Sequence, residues 1–296
     1  MNFSVGGVSK YILIEGEELS LELIYITNNA QVALIAEQNG VDYVMIDLET
    51  LGKEERQKNM DTVKSHHSIS DIETVSAALT KSKTLVRINP INADSEREIE
   101  AVISAGADMI MLPMWKTVKE VSDFLAYVNG RVKTMLLLET KEAAECLDEI
   151  LEIARDSEIH IGLNDLHLSY GLTFMFELLS NGTVEGLCKK MNAAGVKYGF
   201  GGIARIGEGT LPAEKIVMEH YRLGSERVIL SRSFCNALEI IDLNEIQSIF
   251  EKNIISLRSY EKTLANKTLA EYEENKKAVQ QCVESIAQQI KERKVR

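Results

Sequence analysis

The sequence predicts a parallel (β/α)₈ barrel, on three observations. Helical patterns end repeatedly on a glycine that leads within a few residues into a short apolar run. These runs are continuous rather than alternating. Eight of them can be traced, with helical patterns between them. A glycine just past a helix takes up the left-handed conformation that ends it, and a short loop then feeds the next strand. Continuous apolar runs suit strands covered on both faces, as in a parallel sheet wrapped by helices.

The runs lie at about 21–27, 43–47, 84–89, 108–113, 133–139, 158–162, 198–205 and 227–231, and the helix-ending glycines are Gly40, Gly106, Gly130, Gly195 and Gly224. Between them, Ile99, Val102, Ile103 and Gly106 recur at helical spacing, as do Ala143, Leu147, Ile150, Leu151 and Ala154. Ser95 and Thr117 are expected helix N-caps, Thr117 with Glu120 in capping-box spacing, and Thr140 reads as a third. A doubly wound open sheet is the alternative architecture, but no G-x-G-x-x-G or P-loop sequence opens a helix. From Leu243 the chain turns polar and helical to its end, with Leu257, Tyr260 and Leu264 placed to pack on the barrel or on a neighbouring subunit. The expected division is therefore a barrel at 1–242 and a helical extension at 243–296, with additional C-terminal helices.

Forty-five acidic and 33 basic residues give a net charge of −12. Without a basic stripe, neither nucleic acid nor an anionic membrane is an expected partner. The four cysteines, Cys146, Cys188, Cys235 and Cys282, form no C-x-x-C pair, so no zinc site or disulfide framework is indicated. No apolar run approaches the roughly 18 residues of a membrane span. The first ten residues lack a charged start followed by an apolar stretch, so a cytoplasmic chain is expected.

Chemistry on a (β/α)₈ barrel sits at the C-terminal ends of the strands, where the eight loops converge. Those ends carry Asp47 and Glu49, Arg87 and Asn89, Pro113, Glu139 and Thr140, Asn164 and Asp165, Arg205, and Ser231 and Arg232. Singly, each acid reads as an N-cap or a surface group; the set is what carries the case. Glu139 and Asp165 end consecutive runs, and two carboxylates with waters and substrate oxygens make a hard oxygen site for Mg²⁺ or Mn²⁺. Arg87 offers a planar fork for a substrate carboxylate. Gly162, Leu163 and Asn164 bring backbone N–H groups to the same region. Together they suit the stabilisation of an enolate.

At these residues the chain resembles the HpcH/HpaI aldolase and citrate lyase β-subunit family. The landmarks are VMIDLE (44–49), LVRIN (85–89), the GAD…MLP stretch (106–113), LLLETKEAAECLDEIL (136–151) and IGLNDLHLSYG (161–171). The resemblance implies a phosphoenolpyruvate/pyruvate-type TIM barrel with Mg²⁺ or Mn²⁺ on Glu139 and Asp165. Arg87 would hold the acid end of the substrate, and C–C bonds would be cleaved or formed through an enolate. It also implies assembly as trimers or hexamers.

Thr50 follows Glu49 where the pyruvate-aldolase branch has histidine and the citrate-lyase and malyl-CoA branch has aspartate. The general base is therefore sought in His66 and His67 or in His167, with Arg87, Asp47 and Glu49 as further catalytic residues. For His66 and His67 the plainer reading is a solvated surface pair. His160, within a run, is expected to be a hydrogen-bonded core residue. Lys53 and Arg56 are placed for a distal anion or for nothing, and the glycine-rich stretch 199–209 for close approach of backbone to a ligand. Glu219 and His220 are expected to face solvent or a subunit contact. Three functions stay open: a metal-dependent aldolase on a 2-oxo acid, an acyl-CoA lyase of the citryl- or malyl-CoA kind, and a barrel that binds ligand without turnover.

Overall fold

A computed structural model of the chain describes residues 20–52 and 67–295. Eight parallel strands close on themselves in sequence order. They are β1 (Glu22–Ile26), β2 (Tyr43–Asp47), β3 (Lys83–Arg87), β4 (Met109–Leu112), β5 (Lys133–Leu138), β6 (Glu158–Ile161), β7 (Tyr198–Ile203) and β8 (Arg227–Leu230), with β8 pairing back onto β1. Each falls on its expected run to within a residue or two, and the five glycines all take positive φ.

The described helices are α1 (Ala30–Gln38), α2 (Ile69–Ala78), α3 (Ser95–Ser104), α4 (Val118–Val128), α5 (Lys141–Glu145), α6 (Leu147–Ile153), α7 (Leu163–Ser169), α8 (Glu177–Ser180), α9 (Thr183–Ala194), α10 (Ala213–Leu223), α11 (Leu243–Leu264) and α12 (Leu269–Val295). Alternation along each strand splits the buried side chains in two. Those between sheet and helices form the main core, which also takes in Ile246, Phe250, Leu257, Val279 and Val283 of the last two helices. Those inside the barrel form a second cluster that includes Met45, Leu85, Met109, Met111, Met135 and Leu137. This inner cluster is apolar, as the packed interiors of such barrels mostly are.

Local signals hold with two exceptions. Thr117 and Thr140 cap α4 and α5 through their hydroxyls, Thr117 within the expected capping box. Ser95, however, is the first residue of α3 and Asp94 is its N-cap. The fully buried Ser95 Oγ instead accepts the Asn92 N–H (2.8 Å), closing the turn ahead of the helix. Glu219 and His220 are also corrected, for both are buried. The C-terminal helix α12 lies along α8 and α10 and covers the face that a lone amphipathic helix would give to water. Glu219 accepts from Arg222 (2.7 Å) and from Asn275 of α12 (2.9 Å). His220 stacks on Phe200 with ring centroids 3.7 Å apart, and its Nδ1 is hydrogen-bonded to Ser225 Oγ (2.7 Å).

The N-terminal end of the barrel is closed by charge. Arg227, fully buried at the start of β8, pairs with Glu22 of β1 (2.7 Å) and with Glu158 of β6, and its guanidinium lies 5.2 Å from the centroid of the Tyr43 ring. Lys197 joins this group through Glu22 (2.6 Å).

Candidate active site at the barrel mouth

Register and parity build the opposite end. Asp47 is the direct cross-strand partner of Arg87 in the β2–β3 ladder. Tyr43 and Met45 point into the barrel, as does Leu85, so two residues further along each strand Asp47 and Arg87 point inward as well. Met135 and Leu137 set the same parity for Glu139. The sequence thus places three charged side chains above a methionine- and leucine-lined floor.

Arg87 donates through Nε to Asp47 Oδ1 (2.9 Å) and through Nη2 to Asp47 Oδ2 (2.8 Å), while Nη1 stands 3.5 Å from Glu49 Oε2. The bidentate grip expected for a substrate carboxylate is thus made on Asp47. A planar fork meeting a carboxylate on the neighbouring strand forms this pair by default. Burial works against the charge on Arg87, but Asp47, with Glu49 and Glu139, outweighs it and pushes the guanidinium pKa further up. The side chain is a fixed cation.

Glu139 is 3% exposed. Burial, reinforced by Asp165 and Glu49 and only partly offset by Arg87 and the Met114 N–H, pushes its carboxyl up to about 8. Oε1 accepts that N–H (3.0 Å). Met114 holds φ at 54°, a left-handed conformation costly for a methionine, and so aims its amide from the β4–α4 loop at the carboxylate. Thr140, besides capping α5, donates to the Trp115 carbonyl (2.9 Å) and ties this loop to the end of β5. Gly162 completes the seat: a Cβ there would lie 2.9 Å from both Glu139 Cβ and Oε2.

Asp165 does not end a strand. Gly162 turns the chain at once into α7, and Asp165 stands half-buried in its first turn, near enough to raise the Glu139 pKa. The Gly162 N–H is committed to the Leu138 carbonyl (2.9 Å), Leu163 is buried and Asn164 is exposed. His167 is buried, its Nδ1 within 3.1 Å of the Leu163 carbonyl. Two residues along a helix turn it about 200° away from Asp165.

His67 is not a solvated residue. It is half-buried, and its Nδ1 accepts the Asp47 N–H (2.9 Å), so the proton of the neutral ring sits on Nε2. His66, Lys53 and Arg56 lie outside the described residues. Thr50 is exposed, and Asn89 Oδ1 accepts its N–H (2.9 Å) and that of Leu51 (3.0 Å), while Asn89 Nδ2 donates to Glu98 (2.8 Å). The residue that departs from the family pattern thus serves to start the β2 loop. His160 is the expected core residue: fully buried, Nε2 on the Gly201 carbonyl (3.0 Å), and held down to about 4 by burial.

Sequence reasoning did not find Met114 or the His67–Asp47 contact. An unusual φ has no residue signature in methionine, and the contact joins residues 20 apart in the chain.

The donor chemistry fits a divalent ion. Glu139 is a desolvated carboxylate crowded by other carboxylates, and a hard cation relieves that repulsion. Among the described residues no group of three or more His, Cys, Asp or Glu side chains stands ready to hold a metal. A Mg²⁺-type ion needs only one or two carboxylates, with waters and substrate oxygens filling the rest.

The model of the family described as HpcH/HpaI aldolase/citrate lyase matches residues 23–177, a span that holds Asp47, Glu49, Arg87, Glu139 and Asp165. Among solved structures, the chain is similar to an HpcH/HpaI aldolase from Desulfitobacterium hafniense DCB-2, with 17% identity, 80% of this chain and 93% of that one covered, and a TM-score of 0.54. It is equally similar to tryptophan synthase from M. tuberculosis in an aminoacrylate-bound form, with 12% identity, the same coverage and a TM-score of 0.54. At such identities these likenesses speak for the shared barrel alone. No curated protein matches the chain.

Proposed function

The chain belongs to the HpcH/HpaI aldolase/citrate lyase family, and from that premise we propose that it is a divalent-metal-dependent carbon–carbon lyase or aldolase acting on a 2-oxo acid through a pyruvate-like enolate. The observation that carries this is the convergence of Glu139, Arg87, Asp47 and Glu49 on one desolvated site. Glu139 and Asp165 would hold Mg²⁺ or Mn²⁺. When bound, such an ion supplies Lewis-acid stabilisation of negative charge on the substrate oxygens.

The protein's own groups divide the remaining work. Arg87, locked by Asp47, presents a positive charge that needs no reorganisation as the enolate develops, which is the efficient form of electrostatic catalysis. Met114 and Gly162 hold the Glu139 carboxylate in one position. In the cleavage direction a 4-hydroxy-2-oxo acid gives up its hydroxyl proton to a base. The C3–C4 bond breaks, its electron pair enters the enolate, the aldehyde leaves, and C3 takes a proton to give pyruvate. We assign the proton transfer to the side of the mouth formed by Asp47, Glu49 and His67, since His167 sits on the far side of α7 with Nδ1 tied to the backbone.

The test is exchange of the pyruvate methyl protons for deuterium, which needs no aldehyde. The wild type with Mg²⁺ or Mn²⁺ exchanges, and Glu139→Ala does not; exchange unaffected by Glu139→Ala removes the metal assignment. The Asp-Leu-Glu sequence at 47–49, with both carboxylates at Arg87, favours the acyl-CoA lyase of the citryl- or malyl-CoA kind as second reading. Saturable binding of a CoA thioester would select it. Binding of metal and keto acid without any exchange of the pyruvate methyl protons would mark a barrel that only binds.

A homo-oligomer, trimer or hexamer, is part of the proposal. It is supported by Leu238 and Ile241 in the loop after β8, which are 63% and 97% exposed, and sedimentation equilibrium measures it. No helix among the described residues is long and apolar enough to cross a membrane, and a cytoplasmic small-molecule enzyme is the reading we carry.

A further inference from the structure

Two residues past the end of β3, one side-chain oxygen gathers three donors. Asn89 Oδ1 accepts the Thr50 N–H (2.9 Å), the Leu51 N–H (3.0 Å) and, at 3.3 Å, the Thr50 hydroxyl. At its other end the amide nitrogen donates to Glu98 Oε1 (2.8 Å), which also accepts the Asn89 N–H (3.2 Å). Glu98 is half-buried in the first turn of α3. The partners settle which way the amide faces, since an oxygen must meet the backbone N–H groups and an NH₂ the carboxylate. The position asks for a short side chain that accepts at one end and donates at the other. Aspartate would accept equally well but would set a second carboxylate against Glu98.

What this amide grips is the backbone that follows a carboxylate of the site. The Glu49 N–H is held from the other direction by Asp47 Oδ1 (3.2 Å). Thr50 and Leu51, next along the chain, are held by Asn89, and Gly52 then turns the chain with φ 73°. Glu49 is thus fixed on both sides by residues at the ends of β2 and β3. Its carboxylate is buried, 3.5 Å from Arg87, and is one of the charges that raise the pKa of Glu139.

We propose that Asn89, oriented by Glu98, is a positioning residue for the reaction. It holds the chain after Glu49 so that this carboxylate keeps its place beside Arg87, on the proton-transfer side of the mouth. The inference rests on the enolate reading above and adds to it two residues that act only through Glu49.

The experiment follows pyruvate methyl exchange with Mg²⁺ over a range of pyruvate concentrations. Rates are taken well below the melting temperature of each variant, where a merely structural contact leaves kcat unmoved. Asn89→Ala lowers kcat about 10–10²-fold, as for a misplaced group, while KM moves less than about three-fold. Asn89→Asp alone is similarly impaired. The double substitution Asn89→Asp/Glu98→Gln exchanges amide and carboxylate between the two positions and brings kcat back to within about three-fold of wild type. Unchanged kcat in Asn89→Ala, a loss carried by KM, or a double variant no better than Asn89→Asp overturns the proposal. Absence of exchange in the wild type would count against the aldolase reading instead, and amide hydrogen exchange then decides the clamp. The Thr50 and Leu51 amides are protected in the wild type and the double variant and open in Asn89→Ala; equal protection in all three overturns it.

Discussion

The two ends of the barrel are built from the same parts to opposite effect. Each centres on an arginine bonded to a carboxylate on a neighbouring strand, half-buried Arg87 on Asp47 at the mouth and fully buried Arg227 on Glu22 at the bottom. At the bottom, Arg227 and Lys197 face Glu22, Glu158 and Glu226, so that charges nearly cancel and the group closes the barrel. At the mouth, Arg87 faces Asp47, Glu49 and Glu139, and Asp165 adds to the excess. That imbalance costs stability, and it is what a cation and an enolate would use. Balancing charge makes a plug; leaving it unbalanced over an apolar floor makes a site.

The largest expected effect breaks the plug. Arg227→Ala leaves Glu22 and Glu158 without their buried partner and should cost about 3–5 kcal/mol, read from the denaturant midpoint. A loss under about 1 kcal/mol would mean the bottom network is ornamental. The mouth should respond the other way. Glu139→Gln removes a strained carboxylate, so the metal-free variant melts at or above the wild-type temperature while kcat falls about 10²–10³-fold. Loss of stability and activity together would instead place Glu139 in the structural class of Arg227.

Next in size is the metal. Mg²⁺ or Mn²⁺ at 100 times its Kd should stabilise the wild type by about 2.7 kcal/mol, with no shift in Glu139→Gln. An equal shift in both variants would put the ion elsewhere.

The smallest effects are in pH, and their signs differ. The Glu139 pKa is raised in the fold, so its penalty is absent below the unfolded value of about 4.5 and is fully incurred above about 8. Metal-free wild type therefore loses stability relative to Glu139→Gln across that interval. Glu185, on α9 and paired with Lys276 of α12, is the reverse. Burial raises its pKa, but Lys189 and Lys276, with Arg222, outweigh this and hold it down to about 2. Its contribution, on the order of 1 kcal/mol after screening, is present above about 4.5 and is lost as pH falls toward 2. Thermal melts of Glu185→Gln and wild type should converge at that end.

What the sequence made legible follows from the range of each signal. Strands and helix ends are written in local period and in glycines, so all eight runs and the strand-end positions of Asp47, Arg87 and Glu139 are readable from it; their inward parity is not, because the runs are apolar on both faces. The Asp47–Arg87 bond is not, because parallel register is set by how the intervening helix packs. Asp165 looked like a strand end because an apolar run precedes it. The turn comes early, at Gly162, where the lack of a Cβ also leaves room for Glu139. Glu219 misled for a related reason, since the helix that covers it starts some 50 residues further along the chain, whereas His220 packs inward on Phe200 of β7.

The most direct test of the account is a crystal structure with Mn²⁺ and oxalate, a mimic of the pyruvate enolate. The account predicts an anomalous peak between Glu139 and Asp165, with oxalate chelating the ion within reach of Arg87. Manganese bound away from Glu139, or oxalate seated without contact to the ion, would contradict it.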